Sequence, residues 1–182
     1  MKNLVNVVTV VGLALGGVFG MAGTFVAQRN LQAAAWGLDG VALVVATALL
    51  ALKFFRKGND LAAAGFVVFA IGEGVMLVGT ATTLAASVPS FAAGTALWSA
   101  ALLLTSIPQG FASWTRLAGI IGAILFAVTS ARIFWGEQVL PTFSPLPFFA
   151  YPFLVLTFAG WIWNVLKEDS RTSTVSIPRT RQ

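Results

Sequence analysis

Residues 61–86 read LAAAGFVVFAIGEGVMLVGTATTLAA, and a single charge, Glu73, stands among them. At about 1.5 Å per residue, a helix of roughly 20 apolar residues crosses the ~30 Å hydrocarbon core of a bilayer. A run this long and this poor in charge belongs in lipid. Working outward, five more runs have the same character: 4–27, 33–52 with Asp39 its only charge, 91–107, 117–135 with Arg132 near its end, and 148–166. The run 91–107 is the shortest and reaches the required length only by continuing past Pro108, which a span tolerates when neighbouring helices satisfy the freed backbone groups.

Composition agrees. The chain of 182 residues is 58% hydrophobic and 9% charged, against about 25% charged residues in soluble domains. These features predict an all-α membrane protein, a six-helix transmembrane bundle forming one domain over residues 1–166. A polar, basic tail, 167–182, follows and is expected to be disordered in the cytoplasm, because it has no periodic apolar face.

Charge placement tests the number of spans. With six spans and the N-terminus inside, nine basic residues fall on the cytoplasmic side: Lys2, Lys53, Arg56, Lys57, Arg116, Lys167, Arg171, Arg179 and Arg181. Only Arg29 and Arg132 fall outside. If 91–107 failed to cross, the two sides would be nearly balanced, so the positive-inside rule selects six spans with both termini cytoplasmic, in the inner (plasma) membrane. Residues 4–27 exceed the apolar core of about 7–15 residues in a secretory signal and read as a retained span.

The net charge of +5 does not point to nucleic acid, since the basic residues sit at the ends of apolar runs and form no stripe with interleaved aromatics. The chain has neither cysteine nor histidine. That removes disulfides, thiolate metal sites, the usual haem ligand and the commonest general base. No cofactor, metal or enzymatic activity is expected. The six-span layout with both ends inside is similar, in topology alone, to the membrane-embedded substrate-binding subunits of vitamin importers.

Two features invite a functional reading. Gly12, Gly16 and Gly20 recur every four residues and strip one face of the first span; such a stripe accepts a neighbouring helix, within the chain or in a homo-oligomer or larger complex. The second is the set of intramembrane charges, each costing about 2.5–3.5 kcal/mol at a span centre. Asp39 and Glu73 lie equally far in sequence on either side of the turn at Arg56, and Arg132 lies almost as far beyond Arg116. Counted from the cytoplasmic side, all three stand about 24 Å deep. One arginine between two carboxylates leaves an excess negative charge, which predicts a shared proton, with Glu73 between Gly72 and Gly74 the better carrier. The segment 39–44, DGVALV, also echoes 73–78, EGVMLV. The loop from Gly136 to Pro147, and the aromatic stretch on to Pro152, is dense in proline and is expected to be extended.

Two functions compete on this reading. In one, Glu73, Asp39 and Arg132 bind a small polar solute or carry a proton in a transporter or permease component, and a polar cavity reaches Glu73. In the other, the protein is a structural or accessory subunit of a membrane complex, dry inside, with its three charges mutually paired. The topology itself is testable: reporter fusions after Gln182 and at Arg56 are expected to report the cytoplasm, and fusions at Arg29, Ser90 and Gly136 the opposite side. A reporter after Gln182 that is active only outside would overturn the six-span arrangement.

Overall fold

The computed structural model describes residues 2–142 and 144–175, with side chains for 4–142 and 144–170. Among these residues all regular structure is helical: α1 (Lys2–Phe25), α2 (Arg29–Phe55), α3 (Asp60–Thr80), α4 (Val88–Ser106), α5 (Ser113–Phe134) and α6 (Pro145–Val175). All six are long and apolar enough to cross a membrane. Their outer faces are apolar, with Val18, Val41, Val78 and Ile124 all exposed, as lipid-facing positions are.

Local chemistry sets the helix ends. Gly58, at φ +69°, makes the tight reversal between α2 and α3, and the side chain of Asn59 then caps α3 by accepting the Ala62 amide at 3.2 Å. Helix α3 stops at Thr80, short of the expected residue 86. The hydroxyls of Thr80 and Thr82 bond the carbonyls of Leu77 and Gly79 at 2.7 and 2.9 Å, and the Arg29 guanidinium takes the carbonyls of Thr80 and Thr82. Those two carbonyls are thereby held outside any continuing helical ladder.

The proline-dense stretch differs from expectation as well. Helix α6 begins at Pro145, so Pro147 and the aromatics after it are helical. Proline fits the first turn of a helix, where amides have no partner to lose. Pro152 stands in the helix interior and faces outward. At its other end α6 runs past Leu166 to Val175, so the first part of the polar tail is helical, and residues 176–182 lie outside the described residues. Polar contacts anchor this extension. Glu168 pairs with Lys53 at 2.9 Å and with Lys57, and Asn6 donates to Asp169 at 2.9 Å while accepting from Lys53 at 3.2 Å. The start of α1 and the ends of α2 and α6 therefore share one end of the bundle, here called the terminal end; the α1–α2, α3–α4 and α5–α6 loops form the other.

Each helix packs on its neighbours in the chain, and α6 closes on α1. The result is a ring of six helices whose backbones do not meet across the middle. Aromatic side chains bridge that middle in the terminal half. Trp161 of α6 reaches Phe66 and Phe69 of α3, with ring centroids 4.8 and 5.8 Å apart. Trp98 of α4 stacks on Phe69 at 5.7 Å and meets Phe126 of α5 at 5.3 Å. Phe54 and Phe111 close the column at the terminal end.

The glycine stripe is used inside the chain. A Cβ on Gly12 would lie 2.8 Å from the Ala42 carbonyl oxygen and 2.9 Å from the Ala46 Cβ. Gly16 faces Leu43, and Gly20 faces the Asp39 carboxyl. The stripe thus seats α1 on α2, which leaves no room on that face for a second copy. Gly12→Ala is expected to destabilise the bundle by about 1–3 kcal/mol, because backbone cannot yield as a flexible side chain would. Gly74→Ala, whose Cβ meets nothing within 4 Å, should be neutral or stabilising by up to ~1 kcal/mol. Melting in detergent checks both; equal effects of the two substitutions would refute this account of the α1–α2 contact.

Candidate functional site

The inward stripes of α2 and α3 place the two acids. On α3, Ala62, Phe66, Phe69 and Glu73 recur at helical spacing and are all buried; on α2, Asp39, Leu43, Ala46, Leu50 and Phe54 do the same. The first members of the α3 stripe feed the aromatic column. Glu73 lies one turn beyond Phe69, where the column ends, and Asp39 lies one turn beyond Leu43 on the antiparallel neighbour.

There the centre of the ring is hollow. A cavity of about 90 Å³ occupies the loop half of the bundle, walled by α1, α2, α3, α4, α6 and the α5–α6 loop. Leu43, Leu154, Phe158 and Trp98 line it toward the aromatic column, and Thr80, Ser87, Ser90 and Pro141 toward the loops. Asp39 and Glu73 both line it. Both are nearly inaccessible, at 8% and 3% exposure. Asp39 Oδ1 and Glu73 Oε2 are fully buried and accept no hydrogen bond among the described residues. The Trp98 indole N–H, close enough to Glu73 to act on it electrostatically, also lacks a partner with acceptable geometry. A buried polar group without a partner costs about 1–3 kcal/mol, and the two carboxyl oxygens are such groups.

The structure does not bring Arg132 to the two acids. It lies in the last turn of α5, two residues (about 3 Å along the axis) from the helix end, whereas Asp39 is about 15 Å inside α2 and Glu73 about 10 Å inside α3. Equal counts from the basic residues at the terminal end do not make equal depths, because Arg116 already lies inside α5 whereas Arg56 lies in the turn between α2 and α3. Gly136, at φ +94°, turns the chain back and lets Glu137 pair with Arg132 at 2.6 Å on the exposed surface. Among the described residues, no lysine or arginine lines the cavity.

Three cavity residues were not anticipated from the sequence. Trp98 is one. Tyr151 lines the cavity from α6 and donates to the Pro141 carbonyl at 3.3 Å. Trp36, from α2, donates to the Gly20 carbonyl at 3.3 Å, and the Arg29 guanidinium lies 5.9 Å from its ring centroid. A spacing signal existed for Trp36, which stands three residues before Asp39; no comparable signal marks Tyr151, because it comes from the far side of the ring.

No protein-family model, no curated protein and no solved structure matches this chain, so no role is inherited from a relative. An exposed ion pair contributes little to stability. Arg132→Gln is accordingly expected to leave the melting temperature of the detergent-solubilised protein unchanged. A marked fall, recovered by combining it with Glu73→Gln, would show instead that Arg132 balances the buried acids.

Proposed function

We propose that this protein is a small, non-enzymatic transporter or permease component of the plasma membrane that binds a proton or a positively charged solute between Asp39 and Glu73. One observation carries the reading: two buried carboxyls, each with an unpartnered oxygen, line a cavity whose lining, among the described residues, includes no lysine or arginine. Charge balance in such a low-dielectric site comes from bound protons or a bound cation. In this reading both termini are cytoplasmic, and the cavity lies in the outer half of the membrane. A dry accessory subunit with mutually paired charges has the opposite geometry: a filled centre, and an arginine on the acids.

Glu73→Gln tests the assignment. Gln keeps the shape of Glu but cannot ionise. Proteoliposomes holding a pH-sensitive dye, challenged with gradients of alkali and amine cations, are expected to show a flux that Glu73→Gln abolishes while the melting temperature holds or rises. A drop of about 3–5 kcal/mol in stability is the signature of breaking a buried ion pair, and seeing it would overturn the reading.

A further inference from the structure

The cavity wall narrows the kind of cation. Besides the two carboxyls, Trp36, Phe91, Trp98, Tyr151 and Phe158 line it, with Met21 and Met76. A hard divalent ion takes six or more oxygens. The cavity offers two carboxyls and, toward the loops, the Thr80, Ser87 and Ser90 hydroxyls, each already bonded to a nearby backbone carbonyl, and the described residues contain no group of three or more acidic, histidine or cysteine side chains able to hold a metal. A strongly hydrated alkali ion would exchange its water for aromatic carbon. An alkylated ammonium suits both halves of the lining: its methyl groups shed water readily, its charge is drawn to aromatic faces, and the carboxyls neutralise it. Arg29, itself outside the lining, lies over the ring of Trp36, so that ring already accepts a cation on one face. Size agrees too. A cavity of about 150 Å³ holds benzene, so about 90 Å³ suits a small cation of about four heavy atoms.

We infer that the solute bound between Asp39 and Glu73 is a small methylated amine or quaternary ammonium, held by the two carboxyls and the aromatic wall around Trp98. The inference rests on the cation-binding reading above and names its substrate class.

The test is calorimetric titration of the full-length protein in detergent with tetramethylammonium chloride, at constant ionic strength. Its neutral counterpart of similar size, tert-butanol, and sodium and magnesium chlorides serve as comparisons. Tryptophan fluorescence provides a second readout, because Trp36 and Trp98 line the cavity. Saturable binding of tetramethylammonium alone is expected. It should weaken at least tenfold in Glu73→Gln and about fivefold in Trp98→Leu, with Glu73→Asp recovering part of the loss and all variants retaining the native circular dichroism spectrum. Failure of tetramethylammonium to saturate the folded protein, or equal binding of tert-butanol, overturns the inference. Binding of sodium or magnesium instead overturns it too. The broader reading has its own outcome: if only a pH step moves the tryptophan emission, and Glu73→Gln removes that response, the amine is wrong and the acid site stands as a proton site. If neither amine nor pH acts through Glu73, both readings fall.

Discussion

A ring of six helices, each packed on its neighbours and closed by α6 on α1, leaves a centre across which no two helices meet. Everything else in this structure follows from how that centre is filled. In lipid the hydrophobic effect does not drive one helix onto another, so association depends on close packing and on the few polar bonds available. Small residues bring the walls together at the rim, as where Gly12 meets the Ala42 carbonyl. Only large side chains can span the middle, and the chain spends its aromatic residues there. Trp161, Phe66, Phe69, Trp98 and Phe126 join α6, α3, α4 and α5 through ring contacts of 4.8–5.8 Å.

The column stops halfway. Beyond Phe69 and Leu43 the inward positions of α3 and α2 carry Glu73 and Asp39, and the ring encloses space instead of side chains. The two halves divide the work: the filled half holds the helices in register, and the hollow half keeps two acids out of water without giving them partners. The terminal end is further tied by Lys53, Lys57, Asn6, Glu168 and Asp169. The loop end depends on lighter ties, chiefly the Arg29 guanidinium on the carbonyls after α3 and the Tyr151 hydroxyl on Pro141.

How far the site was legible can be followed residue by residue. Asp39 and Glu73 are conspicuous in the sequence because charge in a span is costly, and the shared turn at Arg56 puts them at matching depth. Their inward direction was not legible, because both spans are apolar on every side; the 62, 66, 69, 73 and 39, 43, 46, 50 stripes stand out only once burial is known. Arg132 misled, because residue counts compare depths only from equivalent starting points, and Arg116 lies inside α5 whereas Arg56 lies in the turn between α2 and α3; Arg132 instead pairs with Glu137 on the surface. The helical start of the proline-rich segment was hidden for a similar reason: proline stiffens an extended chain and a first helical turn equally well.

By itself the sequence determined what can be read from solvent preference and from one dimension: six apolar helices of membrane-crossing length, the few charges within them, the small-residue face of α1, and the absence of histidine and cysteine chemistry. Those properties are local, since each residue's cost in lipid hardly depends on its distant neighbours. Which helices touch, where the centre is filled and where it is hollow, and that Tyr151 and Trp98 stand around the same space as Asp39 and Glu73, were decided only by the tertiary structure. Closing the ring joins residues far apart in the chain, and the hollow between them is a property of the assembled volumes that no single helix carries.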